Sequence, residues 1–276
     1  MLCSTEARSL ASSGSVHAAP RSTATLPLCA RYLGVMLARL DVGGRDDDVS
    51  AAHCVQWAVG LLADGELEML GAWLSPADHA RPGQMFADLK DRGVEAVRFV
   101  VSPDPAMTRV DVVAAYPRVA VLPSFEALLR ACMLQVAPSH RRAVGGALRL
   151  LSTADSLELA TGALETFAAS LLGRRYPALV DRWHRALVEL EPVFALGSRQ
   201  RRMLLLGDEL VRGIHERLRR SLSGSGTLPS SARVSSLVEA SLARIGHRLP
   251  KHKATLGSDV VGYSVRPVAG SLAASA

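Results

Sequence analysis

The apolar positions of this chain change their period along its length. Residues 1 to about 30 are rich in Ser, Ala and Thr, show no period, and read as a flexible lead-in. Tyr32 to Leu40 (YLGVMLARL) is an almost unbroken apolar run and reads as a buried strand. Gly43, Gly44 and the triplet Asp46, Asp47, Asp48 form a turn, and His53 to Leu62 is a second strand. Asp64-Gly65 is a hairpin signal, and Leu67 to Leu74 is the third strand. A helix follows from about Pro82 to Asp91, with Phe86 and Leu89 on one face and Gly93 ending it. Val94 to Ser102 is a β-branched strand, with Val97 to Val101 expected to be buried. A helix around Thr108 to Ala115 and a short strand, Val119 to Leu122, complete an α/β pattern.

Beyond Pro123 the period becomes helical. FEALLRACMLQV, RRAVGGALRLL, SLELATGALETFAASLL and YPALVDRWHRALVEL all carry apolar residues at helical spacing. After Gly197 come a basic helix, a Ser/Gly-rich break (SLSGSGTLPSS), and a last helix around Val234 to Ile245. The divisions are residues 1–31, a lead-in; 32–122, an α/β core; 123–200, helical; 201–247, basic helices; and 248–276, a tail.

Composition narrows the function. Nearly half of the 276 residues are hydrophobic, so a packed core is expected, and only 4% are aromatic, so Leu, Val and Ala must build it. The net charge of +6 fits a polyanionic partner, and arginine supplies nearly all of it, since only Lys90, Lys251 and Lys253 are lysines. Cys3, Cys29, Cys54 and Cys132 lack CxxC spacing and accompanying His, which argues against zinc or a disulfide framework. His53, His140 and His215 stand apart and suggest no catalytic triad, and Trp57, Trp73 and Trp183 read as core. The N-terminus has no continuous apolar stretch like that of a signal peptide, and no apolar run is long enough to span a bilayer, so a cytoplasmic protein is expected.

The most specific pattern runs from Asp64 to Ser102 (DGELEMLGAWLSPADHARPGQMFADLKDRGVEAVRFVVS). Asp64-Gly65, Leu70-Gly71, Trp73, Leu89-Lys90, Arg92-Gly93 and Val100-Val101-Ser102 occur in order. Tyr176-Pro177, Trp183, Phe194, Arg201-Arg202 and Leu228-Pro229 follow. Together, over roughly residues 32 to 247, they resemble mutator-type transposases of bacterial insertion sequences. That family shows D-G-x-x-E-x-L-G-x-W, then L-K-x-R-G, then a strand ending in S-D.

The resemblance implies a ribonuclease-H-like core with an all-helical insertion and C-terminal helices. It also implies a homo-oligomer acting on DNA at transposon ends. Three carboxylates would hold two Mg²⁺ ions, one activating a water or 3′-hydroxyl and one stabilising the leaving oxygen. Here those acids are displaced. Ungapped registers put Met36 to Ala38 at the first position, with Asp41 just beyond. Pro103 follows Ser102 where the second Asp belongs, and Asp104 comes one residue late. Arg212 takes the Glu position, with Glu209 one turn before it. In the Q-x-C-x-x-H-x-x-R-N block, Ser124 and Ala127 stand for Cys and His, and Arg130 is kept.

Asp41, Asp104 and Glu209 are therefore the candidate catalytic and Mg²⁺-binding residues. Their structural competitors are a turn residue, a loop residue and an ion-pair partner of Arg212. Arg130, Arg201, Arg202, Arg219 and Arg220 are the candidate nucleic-acid contacts. The leading reading is a truncated, drifted transposase with degenerate catalytic motifs. The alternative is a non-catalytic DNA-binding or dimerising remnant. A third reading, an unrelated α/β protein, would make the Asp64 to Ser102 match accidental.

Overall fold

A computed structural model describes residues 28–42, 53–76, 82–206, 213, 216, 219, 220 and 231–245. Its centre is a five-stranded mixed sheet of order β3-β2-β1-β4-β5. The strands are β1 (Arg31–Val42), β2 (His53–Leu61), β3 (Leu67–Pro76), β4 (Ala96–Ser102) and β5 (Ala120–Pro123). β1 to β3 form an antiparallel meander, and β1, β4 and β5 run parallel. β1 is the middle strand and is covered on both faces, which accounts for its nearly continuous apolar sequence.

Side chains alternate across the sheet and build two cores. Met36, Leu40, Val55, Trp57, Val59, Phe99, Val101 and Leu122 belong to one, together with the described helices that follow β5. Val35, Leu37, Ala58, Leu70, Trp73, Val97, Val100 and Val121 belong to the other, under α1 (Pro82–Asp91) and α2 (Pro105–Ala115). The first core continues through α3 (Phe125–Leu134), α4 (Arg141–Thr153), α5 (Leu157–Ala169), α6 (Leu171–Arg175), α7 (Pro177–Phe194) and α8 (Ser198–Leu206). It reaches α9 (Ser231–Ile245), which packs on β3. No helix among the described residues is long and apolar enough to cross a membrane.

The motifs of Asp64 to Ser102 turn out to be devices of the fold. The Asp64 carboxylate accepts the Glu66 amide at 2.9 Å, and Gly65 takes φ +86°, so the hairpin closes through an acid and a left-handed glycine. The β2–β3 register shifts by one residue at Ala58/Val59, leaving Leu70 without a partner in the ladder. The Arg92 guanidinium donates to the Leu70 carbonyl and satisfies it. Gly93, at φ +96°, ends α1: its amide bonds to the Lys90 carbonyl, and the Val94 amide to the Leu89 carbonyl, both at 3.0 Å.

Boundaries and burial differ from expectation at two places. Helix α2 starts at Pro105 rather than near Thr108, because Asp104 caps it and proline suits the first helical position. In β4 the core residues Val97, Phe99, Val100 and Val101 are buried, but Arg98 between them is exposed. The expected turn at Gly43, Gly44 and Asp46 to Asp48 lies outside the described residues, as do the Ser/Gly-rich break up to Ser230, with Leu228-Pro229, and the tail.

Candidate active site

β1 and β4 lie side by side and parallel, with Met36 opposite Val101. β4 ends at Ser102, whose carbonyl accepts the Ser124 amide at 2.8 Å. The face of β1 that carries Gly34, Met36 and Leu40 is the one that α8 covers: a Cβ added to Gly34 would collide with the Leu204 side chain. Met36 is fully buried there, and Ala38 packs on the same core. The positions at which a first carboxylate is expected are thus apolar and filled.

Asp41 falls on the opposite face by strand alternation, with Leu37 and Arg39. Its carboxylate is exposed and accepts from Arg39 Nε at 2.8 Å. It therefore points away from the side that α8, the helix leading toward Glu209, covers. Glu209 and Arg212 lie outside the described residues.

Asp104 is exposed just beyond β4 and has a local task. Its carboxylate accepts the Met107 amide at 3.2 Å and caps α2, which Pro105 opens. Beneath it, the buried Ser102 hydroxyl meets Thr108 Oγ1 at 2.7 Å and accepts the Asp104 amide at 3.1 Å. Thr108 Oγ1 also lies 2.8 Å from the Asp104 carbonyl. The end of β4 is thus closed by hydroxyls and a cap. Asp104→Ala should lower stability by about 1 kcal/mol, while Asp104→Ser and Asp104→Asn should stay within a few tenths of wild type. Urea midpoints check this: equal losses in all three variants would rule out the cap as the dominant role.

The same economy appears at the start of α3. Ser124 and Ala127 occupy the Cys and His positions of the expected block, and the structure joins them directly. Ser124 Oγ accepts the Ala127 amide at 3.1 Å as the helix cap. Among the described residues, no group of three or more His, Cys, Asp or Glu side chains is placed to hold a metal ion.

Comparison with known proteins bears on what this sheet descends from. The family model "Transposase, Mutator family" matches residues 19–248. The chain belongs to the Mutator family of transposases. It is 28% identical over 205 residues to a transposase for insertion sequence element ISRM3 from Rhizobium meliloti (strain 1021), covering 74% of this chain and 50% of that protein. It is 30% identical over 201 residues to a probable transposase for an insertion sequence element from Corynebacterium diphtheriae, covering 72% of this chain and 58% of the relative. The chain therefore spans about half the length of these relatives.

Within this Mutator-family chain the five sequence-selected arginines separate. Arg130 on α3 is exposed. Arg201 is buried: its guanidinium bonds to the Leu196 carbonyl at 3.2 Å and to Asp155 at 3.1 Å, and it lies over the Phe194 ring. All of these contacts lie inside the fold. Arg202 is half-buried and donates to the Ser198 carbonyl at 3.3 Å. Arg219 and Arg220 are helical and exposed, Arg219 pairing with Glu216 at 3.1 Å.

Sequence reasoning passed over one buried acid. Glu68, at the E of D-G-x-x-E, is 3% exposed. It accepts from the Tyr32 hydroxyl at 2.5 Å, and that hydroxyl in turn accepts the Cys29 amide at 3.0 Å. The pair ties the start of β1 to β3, with the Tyr32 ring lying over Gly60. The signal was an acid inside an otherwise apolar strand, LEMLGAWL.

Proposed function

We propose that this chain is a DNA-binding member of the Mutator transposase family, on a ribonuclease-H-like core, that has lost metal-dependent strand cleavage. On this reading it acts in the cytoplasm as a homo-oligomer on transposon-end DNA. The run of three antiparallel strands followed by parallel β4 and β5, with helices on both faces, supports the ribonuclease-H-like part. The observation that carries the loss of chemistry is the face alternation of β1: Met36 fills the side that α8 covers, and Asp41 points to the other.

Two Mg²⁺ ions roughly 4 Å apart need fixed carboxylates that converge on both of them. The described acids do not fit that demand, because Asp41 is paired with Arg39 and Asp104 caps α2. DNA binding needs no such convergence. It draws on exposed arginine and on a net charge of +6.

Purified protein should bind duplex DNA at low salt without sequence preference, and the affinity should fall steeply as salt rises. It should neither nick nor join strands with Mg²⁺ or Mn²⁺. Strand cleavage that disappears in Asp41→Asn or Asp104→Asn would sink the proposal, and the shifted acids would then be true ligands. Binding that is indifferent to salt would remove the DNA-backbone part.

A further inference from the structure

We propose that the side of the helical layer formed by α4 and α6 is a duplex-DNA backbone surface, with Arg142, Arg174 and Arg175 at its centre and Arg130 at its margin. The proposal rests on the DNA-binding reading above and assigns that binding a face.

Charge is distributed unevenly in this layer. From Ala127 to Ala154 there is no acidic residue, but there are four arginines and His140. From Thr166 to Val180 there is again no acid, and Arg174 and Arg175 stand together. Asp155, the acid that closes the first stretch, is held by Arg201.

The fold joins the two stretches. The Tyr176 hydroxyl lies 2.9 Å from His140 Nδ1 and accepts the Ala137 amide at 3.2 Å. Tyr176 follows Arg175 directly, and His140 directly precedes Arg141-Arg142, so both arginine pairs flank one seam. The turn that presents Arg174 and Arg175 is capped and closely packed. Ser170 caps α6, and a Cβ at Gly173 would collide with the Phe167 carbonyl, so α6 cannot shift against α5 without opening that contact.

Some arginines elsewhere in the described structure pair with acids: Arg39 with Asp41, Arg92 with Asp88, Arg109 with Glu189, Arg201 with Asp155 and Arg219 with Glu216. Arg130, Arg142, Arg174 and Arg175 are exposed and have no acidic partner among the described residues. Arg141 and Arg142 also stand in the first turn of α4, where the helix dipole disfavours cations, and no acid offsets them there. A surface shaped only for solubility intersperses both signs. This one accumulates a single sign at a cost to the isolated fold, and a polyanion returns that cost through counterion release.

Duplex rather than single-stranded nucleic acid fits the face. Single strands are held by exposed aromatic platforms, and among the described residues every Phe, Tyr and Trp is buried or half-buried.

The test compares the full chain with an Arg142→Ala/Arg174→Ala/Arg175→Ala variant and an Arg219→Ala/Arg220→Ala variant, titrated with random-sequence duplex at several salt concentrations. The triple variant should keep its melting temperature and lose roughly tenfold or more in affinity at low salt. Its log–log salt slope should shrink by about 2 to 3, near 0.9 per phosphate contact. In the wild-type protein, duplex DNA should protect Arg142, Arg174 and Arg175 from a guanidinium-directed reagent, read by mass spectrometry. A triple variant with wild-type affinity and slope, or arginines modified equally with and without DNA, would overturn the surface while leaving DNA binding intact. Tighter binding of single strands than of duplex would overturn the choice of ligand. Failure of the wild type to bind at low salt would remove the DNA-binding reading itself.

Discussion

Trp183→Ala is expected to cost about 3–5 kcal/mol, a large share of the roughly 5–15 kcal/mol by which a domain is stable. Trp183 is fully buried on α7, between Val180 and Leu187, and its ring centroid lies 4.8 Å from that of Phe125 on α3. Helix α7 touches β5, α5, α6 and α8, so the cavity would open where the helical layer meets the sheet. Few other aromatics are present to refill it, because the chain has only 4% aromatic residues. Trp183→Phe keeps an aromatic plane against Phe125 and should lose less than the alanine variant. Urea midpoints measured by circular dichroism decide the matter, and an alanine variant within 1 kcal/mol of wild type would place Trp183 outside the core. DNA binding by the alanine variant should fall only as far as its folded fraction falls, since Trp183 is fully buried.

Most of the architecture was legible because it rests on local signals. The β-branched run through Phe99 to Val101, the Asp64-Gly65 turn and the helix Pro82 to Asp91 declare themselves through period and turn chemistry. The start of α2 was legible too, in the pair Asp104-Pro105, once the acid is read as a cap rather than a ligand. Strand parity was also available from sequence: Asp41 differs in parity from Met36 and Leu40, so it cannot share their face in a regular strand. The direction in which that face looks was not available, because it depends on α8 crossing over Gly34 from far along the chain. Arg201 shows the same limit. In sequence it is one half of a basic pair, and only tertiary packing against Asp155, Leu196 and Phe194 turns it inward. Helix α2 inverts the usual pattern. Thr108 is buried because Ser102 supplies a partner, while Met107 and Val110 are 71% and 76% exposed.

Alkaline pH should unfold this protein cooperatively, and the window follows from its buried acids of high pKa. Burial pushes the Cys54 thiol from 9.0 up to about 12 and the Tyr116 phenol from 10.0 up to about 12. Burial also raises the Cys132 thiol. Burial and the bond to the Glu68 carboxylate raise the Tyr32 phenol further still. In each case the folded state holds its proton after the unfolded chain has released it. The stabilisation is therefore fully present below about pH 9 and is lost as pH rises toward the folded values. Each such group steepens the loss by ~1.4 kcal/mol per pH unit within its window. Several acting together above pH 10 approach the whole stability of a domain, so the unfolding transition is expected below the folded values of about 12 for Cys54 and Tyr116. The part of the tyrosinate absorbance that Tyr32→Phe and Tyr116→Phe remove should rise together with the loss of circular dichroism, because these two phenols ionise only when β1 and α2 come apart. Tyr116→Phe, which gives up only a 3.2 Å bond to the Val94 carbonyl, should flatten the pH dependence above 10. If the Tyr32→Phe and Tyr116→Phe variants each lose a tyrosinate signal that in the wild type rises near pH 10 with the dichroism intact, the phenols are not held as the structure has them.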